Sequence, residues 1–577
     1  MKRILLNISF IATLLFGVSA CVEADPDYTD FPSKDVDFTY AVAPNGEGEV
    51  EFGIDYYVVS AIQFTNTSAK QGSSVTWDFG DGTTSTEPNP LHKFSKAGIY
   101  QVKLTVEGVG SRTYPIMIYD IAPVLSISSQ SAEILTCNDV EVEFNIFLPN
   151  PENKEVKYEW TFPEGAIDAQ GQPITKFEGM AHADGTVDYP GKIRFKNIGS
   201  QRISLKAVFD TAEGGENRTL EESYVNVQVG ADKPYKTLYY AALDGNIKAY
   251  KLIPESALPE GTKNMPFDMG VSSGSMPFTL CYAESEVVSE GEDATVTKQG
   301  WIYILDAGKQ YTYINDEGGV NGDGKINVMS VDGKSTNLFV SNVGKSAFDD
   351  PFFGCVDGEN LIYTDRNTGI RKMSLSARGQ VEANDYLVKN DQLGYYNRDM
   401  SYGAISSTVY KDMGGTYWWG KCYNGEGIFR FNPSDIGNLS ASPHPVVLPL
   451  VKLKAFTLDE KRGKLYVWRT KSEGGFYVYP LPKIDAGLDK AAFETRFLMD
   501  ADPINSTDAE GVFCTQMAVD KENGNVYFGF NKESNDQSAY TTGLKVYNSE
   551  TQKVESFYGN TERILGIVIN ENATKLF

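Results

Sequence analysis

The chain of 577 residues is too long for one hydrophobic core, so several domains are expected. It contains 54 glycines, 25 prolines, 33 tyrosines and 31 phenylalanines but few long helical patterns, which favours an all-β fold. The formal net charge of −25 argues against nucleic acid and anionic lipid as partners, because both require a basic surface. A neutral or cationic ligand fits this charge better.

The amino terminus has the pattern of an export signal. Residues 1–3 supply a positive start, and residues 4–20 form a short, mostly apolar run that ends in small residues. The run stops at Val18-Ser19-Ala20-Cys21, which resembles the lipobox cut by the lipoprotein signal peptidase. This resemblance implies that residues 1–20 are removed and that Cys21 carries the acyl chains. The alternative is an ordinary secretory signal followed by an incidental cysteine.

The segment after Cys21 is predicted to be a tether. Residues 21–35 are polar and acidic and show no apolar periodicity, as expected of a flexible segment. Similar acidic stretches follow the lipidated cysteine in surface-exported lipoproteins of anaerobic Gram-negative bacteria. The resemblance implies an outer-membrane protein that is anchored by lipid and faces the cell exterior.

The other five cysteines do not suggest a disulfide framework. They are an odd number without any CxxC spacing in a large chain, so buried free thiols are expected and a zinc site is not. They stand at positions 137, 281, 355, 422 and 514.

The most specific motif lies between residues 75 and 106. Val75-Thr76-Trp77-Asp78-Phe79 alternates like a half-buried strand, and Gly80-Asp81-Gly82 allows a tight turn. A second alternating strand runs from Tyr100 to Val106, with Tyr100 placed like the corner tyrosine of immunoglobulin-type sandwiches. Asp78, Asp81 and His92 are expected to be structural rather than cation ligands, since aspartates beside hairpin glycines usually form turns.

Together these motifs closely resemble a PKD domain, which we place at residues 36–120. Such domains are β-sandwiches that act as spacers or contact modules and are not catalytic. Residues 121–230 are interpreted as a divergent PKD-like copy, because Tyr158–Pro163 and Ile198–Val208 repeat the two strands. The Gly-Asp-Gly turn is absent there, so only the fold carries over. Two sandwiches in series predict a stalk.

A loose repeat of about 40 to 75 residues begins near residue 235, which is the period expected of propeller blades. Residues 455–479 and 517–547 are the clearest units, and each fits strand, Asp/Gly hairpin, strand, loop and strand. Three weaker copies are also present, around residues 301–313, 353–373 and 402–431.

The ends of the repeat region predict the blade number. Residues 565–577 match the first two strands of the unit, and residues 238–250 match the half that follows. Joining the ends adds a composite blade to five internal ones, so residues 235–577 are predicted to form a six-bladed propeller without an exposed sheet edge. The spacing of the strand repeats resembles that of NHL- or YncE-like propellers.

In propellers of this kind, loops between the second and third strands and between blades meet around one mouth of the channel. Flat aromatic rings with interleaved polar groups suit a sugar face or an extended peptide. The alternative for the tryptophans is packing between blades. The candidate ligand-binding residues are Asp306, Arg366, Tyr395, Tyr396, Arg398, Trp419, Lys421, Trp468 and Arg469, and the same loops contain Met276-Pro277-Phe278.

Two motifs that suggest metal binding or catalysis are weak. Gly319–Asn327 resembles a dockerin calcium loop, but Gly319 and Ser330 occupy the first and twelfth positions, where carboxylates are required, so a hairpin tip is expected. Any calcium would need Asp316, Asp323 or Asp332 as a substitute ligand. Gly270–Gly274 matches GxSxG without the strand-to-helix context, and only His444 follows it. We therefore predict no catalytic residue, metal or cofactor, although 77 acidic residues leave a carboxylate pair of the glycosidase type open.

The order of lipobox, PKD-like modules and propeller resembles the PKD-like family lipoproteins that accompany TonB-dependent outer-membrane nutrient transporters and their lid lipoproteins. This implies a non-catalytic accessory protein that binds an oligosaccharide or peptide at the cell surface, within a transporter complex. Two alternatives remain: a propeller glycoside hydrolase or lyase, and a structural docking subunit of the transporter.

Overall fold

The chain folds almost entirely into β-strands in this computed structural model. Its one described helix is a short 3-10 turn, Glu255–Ala257, and no described helix is long and apolar enough to cross a bilayer. The structure describes residues 35–42, 56–58, 60–70, 74–128, 134–150, 155–209, 218–220, 222–243, 245–288, 296–309, 322–341, 350–365, 369–376, 386–389, 409–421, 427–432, 446–448, 453–469, 475–481, 502–503, 512–532, 541–559 and 562–577.

The first sandwich packs two sheets against each other. Its described strands are β1 (Phe38–Val42), β2 (Tyr56–Tyr57), β3 (Ile62–Asn66), β4 (Val75–Asp78), β5 (Thr84–Ser85), β6 (Leu91–His92), β7 (Gly98–Val106) and β8 (Gly110–Tyr119). One sheet has the order β1-β3-β6 and the other β2-β8-β7-β4-β5. The predicted alternation on β4 is confirmed, because Trp77 is buried against Phe38, with ring centroids 5.1 Å apart.

The turn residues of this sandwich have the structural roles expected for them. Asp78 accepts a hydrogen bond from the Gly80 amide at 2.9 Å, and Asp81 accepts one from the Thr83 amide at 2.9 Å. The Tyr100 hydroxyl donates to the Lys96 carbonyl at 2.8 Å, which is the bond of a tyrosine corner.

The second sandwich follows the first directly. Its described strands are β9 (Val124–Ile127), β10 (Ile134–Leu135), β11 (Glu141–Val142), β12 (Phe144–Phe147), β13 (Val156–Thr161), β14 (Ala166–Ile167), β15 (Lys176–Ala181), β16 (Ile193–Phe195), β17 (Gly199–Phe209), β18 (Arg218–Thr219) and β19 (Ser223–Val229). The main sheet has the order β10-β19-β17-β13-β15, and Trp160 of β13 is buried, with its ring centroid 6.0 Å from that of Phe144 in β12. One apolar cluster extends from Val36 to Val229, so the two sandwiches share a continuous core.

The rest of the chain forms six sheets arranged as propeller blades. Their described strands are β20 (Tyr235–Ala242), β21 (Asn246–Lys251), β22 (Phe267–Ser272), β23 (Pro277–Val288), β24 (Val296–Asp306), β25 (Lys325–Ser330), β26 (Thr336–Ser341), β27 (Pro351–Asp357), β28 (Asn360–Asp365), β29 (Gly369–Ser374), β30 (Tyr386–Lys389), β31 (Val409–Lys411), β32 (Tyr417–Lys421), β33 (Gly427–Phe431), β34 (Val446–Val447), β35 (Leu453–Asp459), β36 (Lys464–Arg469), β37 (Gly475–Pro480), β38 (Asp502–Pro503), β39 (Val512–Phe513), β40 (Met517–Val519), β41 (Val526–Lys532), β42 (Thr541–Asn548), β43 (Lys553–Gly559) and β44 (Ile564–Thr574).

Blades two to five are the consecutive sets β23–β26, β27–β30, β31–β34 and β35–β38, and blade six contains β39–β43. Blade one is composite, with the order β22-β21-β20-β44. The inner strands β44, β23, β27, β31, β35 and β40 face the centre of the ring. The chain is therefore an all-β protein with two immunoglobulin-like sandwiches and a six-bladed propeller.

The composite blade divides the two ends differently from the sequence prediction. The carboxyl terminus supplies one long strand, β44, rather than two, and the amino-terminal part of the propeller supplies the other three. β44 is antiparallel to β20, with Tyr239 opposite Val568. The second carboxyl-terminal segment, residues 573–577, continues or follows β44 and forms no separate strand. We call β44 the closing strand.

Side chains fasten each blade to the next at the end of the ring that carries the connections between first and second strands and between third and fourth strands. Between blades six and one, Lys236 Nζ contacts Asp520 at 2.6 Å, Glu571 at 2.9 Å and Glu522 at 3.0 Å. Burial alone would lower the pKa of Lys236, but these three carboxylates raise it above its usual value. The other contacts are Tyr239 to Val331, Tyr303 to Leu375, Lys411 and Tyr417 to Asp357, Tyr410 to Glu460, and Arg462 to Glu522.

The inner strands of blades six, one and two are joined by one amide side chain. Gln516 Oε1 accepts hydrogen bonds from the Leu280 amide at 2.9 Å and the Ile567 amide at 2.8 Å, and its Nε2 donates to the Leu280 carbonyl. A Cβ on Gly566 would lie 2.9 Å from the Leu280 nitrogen, so only glycine permits this close approach. The ring is thus tightly closed at its composite blade.

The four described cysteines, Cys137, Cys281, Cys355 and Cys514, are free, as expected. Cys281 and Cys514 are buried, and burial raises the pKa of the Cys514 thiol above its usual value. Cys21 and Cys422 lie outside the described residues. The buried Cys281 and Cys514 side chains are therefore part of the apolar packing.

Candidate functional site

The antiparallel blades divide the propeller into two rims. The first-to-second strand hairpins, such as residues 358–359 and 460–463, lie at one end of the ring. The second sandwich contacts residues 263–268 and Lys575 at this same end, which we call the stalk rim. The connections from second to third strands and from blade to blade lie at the other end, which we call the distal rim. The longest distal-rim connections are residues 307–324 and 390–408.

The two candidate tryptophans do not face the channel mouth. Trp419 is 0 % exposed in a cluster with Ile362 and Val409, between blades three and four. Trp468 is 4 % exposed, and its ring centroid lies 5.5 Å from that of Phe528 in blade six. This corrects the expectation that their rings contact a ligand: both pack between blades, which was the alternative.

Asp306 is also a structural residue. It is 1 % exposed, and its carboxylate accepts hydrogen bonds from the amides of Met276 at 2.7 Å, Ser275 at 3.0 Å and Gly308 at 3.0 Å. Three amide donors satisfy most of the acceptor capacity of a carboxylate. Asp306 therefore fixes the connection between blades one and two, which corrects its assignment as a ligand contact.

Arg469 ends β36 at the distal rim and is held by two tyrosines. Its guanidinium carbon lies 3.9 Å from the ring centroid of Tyr477, and its Nη2 donates to the Tyr479 hydroxyl. A stacked guanidinium keeps its charge in a fixed place, which suits either packing or recognition of a polar ligand. Of the described candidates, Arg469 is the one that keeps partial exposure at this rim.

The remaining candidates are not described at side-chain level. Lys421 is the last residue of β32, opposite Gly427, and therefore stands at the distal rim. Arg366, Tyr395, Tyr396 and Arg398 lie outside the described residues. Their positions in the chain, between β28 and β29 or between β30 and β31, belong to distal-rim connections.

Beneath the distal rim, a buried apolar cluster lies at the starts of the inner strands. Phe278 packs against Phe352 and Phe353, with ring centroids 5.4 and 5.6 Å apart, and Met276 and Leu565 complete the contact. Met276 and Phe278 were expected in the loops that line the mouth, but the structure buries them. The cluster gives the distal rim a rigid base at blades one to three.

Two carboxylates, those of Asp323 and Asp350, lie in the loops near this base. Asp350 was not among the residues that the sequence pointed to. Asp350 Oδ1 accepts a hydrogen bond from the Gly324 amide at 2.9 Å, and Asp323 Oδ2 accepts one from the Lys309 amide at 3.1 Å. The described residues contain no group of three or more side chains able to hold a metal ion. These carboxylates fix loops.

The calcium-like motif does not form a binding loop within the described residues. β25 begins at Lys325, so the second half of the motif is a strand. Asp323 precedes this strand and Asp332 follows it, and six extended residues separate them by roughly 20 Å. One ion cannot contact both carboxylates, and Asp316 lies outside the described residues.

The GxSxG match lies on β22 and the connection that follows it, without a helix. Ser272 Oγ accepts a hydrogen bond from the Gly274 amide at 3.3 Å, as in a local turn. The two described histidines, His92 and His182, are in the sandwiches, paired with Asp81 and Asp188. No described base reaches this serine.

Comparison with known proteins identifies the first sandwich. The PKD domain family model matches residues 55–114. Collagenase ColA of Bacillus cereus is 35 % identical over 96 residues, which are 15 % of this chain and 10 % of the collagenase. Collagenase ColA of Clostridium perfringens is 36 % identical over 75 residues, which are 12 % and 7 % of the two chains. The chain spans only a tenth or less of these relatives.

Solved structures with propeller-like similarity cover most of the chain at low identity. A quinonprotein alcohol dehydrogenase-like protein from Bacteroides thetaiotaomicron is 12 % identical, with 78 % of this chain and 97 % of that chain covered and a TM-score of 0.28. AztD from Citrobacter koseri is 12 % identical, with 73 % and 100 % covered and a TM-score of 0.25. Such values carry no argument about activity. The chain thus combines a PKD domain with a β-propeller.

Proposed function

We propose that this protein is a lipid-anchored, non-catalytic binding protein of the outer-membrane surface. It captures an oligosaccharide or peptide on the distal rim of the propeller, as an accessory to a TonB-dependent uptake complex. The observation that carries the proposal is the opposition of the two rims. The second sandwich attaches at the stalk rim, so the distal rim is the propeller face that points away from the stalk.

The two rims differ in what their residues do. At the stalk rim, the described side chains between blades are engaged in ion pairs and hydrogen bonds, such as Lys236 with Asp520 and Lys411 with Asp357. The distal rim has a buried apolar base that includes Phe278 and Phe352, and Tyr395, Tyr396 and Arg398 belong to the chain segment between β30 and β31. Loops on a rigid scaffold are the usual place for binding residues.

Because Trp419 and Trp468 are buried, fewer residues are left as candidates for contact with the ligand. Aromatic contacts with a ligand have to come from rim tyrosines, chiefly Tyr395 and Tyr396, and orientation from Arg398, Arg366, Lys421 or Arg469. Tyrosine offers a flat apolar ring with a polar tip, which suits a sugar or a peptide backbone. The net charge of −25 favours a neutral or cationic ligand.

The anchor supplies the remaining part of the mechanism. Cys21 would tether the stalk to the membrane that holds the transporter, and shared tethering raises the effective concentration of captured ligand near the pore. Binding without chemistry is then sufficient, because the transporter and its partners carry out the later steps.

A binding assay with matched variants tests the ligand proposal. The protein is applied to an array of neutral glycans and peptides, together with a Tyr395→Ala, Tyr396→Ala double variant and a Tyr189→Ala control. Tyr189 lies in the second sandwich and is 39 % exposed. We expect binding that falls at least tenfold in the double variant and is unchanged in the control. Equal binding by all three proteins, or product formation on the array, would contradict the proposal.

The anchor is tested separately. In the native cell, we expect the protein in the outer-membrane fraction, labelled by a palmitate analogue and accessible to external protease. A Cys21→Ser variant should lose the label and the membrane association. If the variant kept the label and the membrane association, lipid anchoring through Cys21 would be wrong. The binding assay would still test the ligand proposal independently.

A further inference from the structure

The second sandwich is attached to blade one by backbone hydrogen bonds. The Ile198 amide donates to the Lys263 carbonyl at 2.9 Å, and the Met265 amide donates to the Ile198 carbonyl at 3.0 Å. The Ser200 amide donates to the Pro266 carbonyl at 3.2 Å. Ile198 and Asn264 form a parallel bridge, so the start of β17 is paired with the segment that leads into β22. The contact is a short ladder of the kind that joins strands.

Side-chain hydrogen bonds continue this backbone ladder to Asp268 of blade one. Ser200 Oγ accepts a hydrogen bond from the Asp268 amide at 2.8 Å and donates to Gln228 Oε1 at 2.6 Å. Gln228 Nε2 in turn donates to the Asp268 carbonyl at 3.2 Å. Asn197 Oδ1 accepts from the Lys263 amide at 2.9 Å. Both backbone polar groups of Asp268 are therefore bound by the sandwich.

The end of the chain lies in the same contact. The Ala231 amide, just after the last strand of the sandwich, donates to the Lys575 carbonyl at 2.8 Å. A Cβ on Gly230 would lie 2.9 Å from that carbonyl oxygen, so the backbones touch here. Lys575 directly follows the closing strand. The sandwich thus binds the chain at the point where the ring closes.

Apolar packing joins the same three parts. The Ile198 side chain is buried in the cluster of blade one, together with Phe267 and Leu576. The Phe577 ring packs edge-on against Phe267, with centroids 5.1 Å apart. A sandwich residue and the last two residues of the chain therefore share one core.

We propose that the second sandwich is a clamp that locks the closing strand into blade one. Release of β44 requires Leu576 and Phe577 to leave a core that Ile198 completes, and requires Lys575 to leave Ala231. The sandwich and the ring therefore open together. Under this arrangement the second sandwich is part of the propeller's closure, and the joint between stalk and ring is rigid.

Gly199 offers a selective way to loosen the clamp. Its φ of +110° favours glycine, and a Cβ would lie 2.4 Å from the Met265 carbonyl oxygen. Gly199→Ala must therefore push the sandwich away from blade one. Gly171→Ala is a matched control, because Gly171 lies in the same sandwich with a φ of +79° and no atom within 4 Å of its Cβ position.

Hydrogen exchange on the full chain tests the clamp. We expect Gly199→Ala to increase exchange at least tenfold in the closing strand and in residues 263–268, relative to Gly171→Ala. The strands of blade five, β35–β37, should exchange equally in both variants. If residues 263–268 exchange faster while the closing strand does not, the sandwich is attached but does not clamp, and the proposal fails.

A second variant covers the case in which Gly199→Ala does not fold. Ser200→Ala removes the acceptor of the Asp268 amide without adding bulk. We expect exchange in the closing strand to rise by a smaller factor, together with that of residues 263–268. Exchange in the closing strand that matches the unaltered protein would overturn the proposal.

Discussion

Lys251 Nζ donates to the carbonyl oxygen of Thr574, the last residue of the closing strand, at 2.6 Å. The same ammonium contacts Thr574 Oγ1 at 2.9 Å, Thr237 Oγ1 at 3.0 Å and the Tyr235 carbonyl at 3.0 Å. All four acceptors are neutral oxygens. Because the side chain is buried, desolvation lowers the pKa of Lys251 to about 7.

The stability of the ring should therefore depend on pH through Lys251. Above about pH 7 the folded protein holds this amine neutral, whereas the unfolded chain keeps it protonated up to its usual pKa near 10.4. The unfolded state then binds more protons, so the free energy of unfolding rises with pH, by at most about 1.4 kcal/mol per unit. We expect a Lys251→Met variant to lose this rise. Unfolding of both proteins is measured between pH 7.5 and 9.5, and parallel pH profiles would show that Lys251 is not responsible.

Removal of Lys236 should weaken the joint between blades six and one. Lys236→Met leaves Asp520, Glu522 and Glu571 without their shared cation, and loss of one partner of a largely buried ion pair costs about 2 kcal/mol or more. Lys176→Met is the control, because Lys176 and Glu159 are 63 % and 44 % exposed and such pairs contribute under about 1 kcal/mol. Denaturant unfolding of both variants should show a clear difference; equal losses would contradict the role of Lys236.

Gly80 is predicted to be irreplaceable in the first sandwich. Its φ is +75°, and a Cβ would lie 2.9 Å from the Gln101 carbonyl oxygen. Gly82 has a φ of +89° but open space around its Cβ position. Gly82→Ala should cost about 1 kcal/mol of stability from backbone strain, and Gly80→Ala clearly more. Hydrogen exchange in β4 and β7 reports the unfolding of this sandwich, and equal costs for both variants would refute the steric argument.

Replacement of the tryptophans should affect folding. Trp468 fills the space between blades five and six, so Trp468→Ala removes a large buried side chain and should destabilise the protein by about 3–5 kcal/mol. Trp468→Phe keeps much of the volume and should cost less. Thermal unfolding measures both effects. A stable Trp468→Ala protein that has lost ligand binding would restore the tryptophan to the binding site.

Local sequence patterns predicted the positions of the strands well, but they predicted poorly which side chains face the distal rim. The alternation around Trp77, the corner at Tyr100 and the Asp-Gly hairpins are properties of neighbouring residues, so the sequence displays them directly. Trp419 and Trp468 stand near the ends of second strands, where the twist of the blade decides whether a ring faces the mouth or the next blade. That choice depends on contacts with another blade.

The contacts between blades have no local signal at all. Lys236 and Asp520 are separated by 284 positions, and nothing near either residue marks the other. The division of blade one was also misjudged, because residues 565–577 were interpreted as two short strands. The structure continues β44 past Asn570 to Thr574, and its register against β20 includes irregular steps at each end.

The composite blade also sets the order of events during synthesis. Lys251 and Thr574 are 323 positions apart, so nearly the whole propeller must exist before its first sheet can receive a fourth strand. Pairings this distant form slowly and late. A chain interrupted before residue 564 would keep the edge of β20 unpaired and open to aggregation or proteolysis. The pairing of β20 with β44 therefore makes compaction of the ring depend on a strand that is synthesised long after its partner.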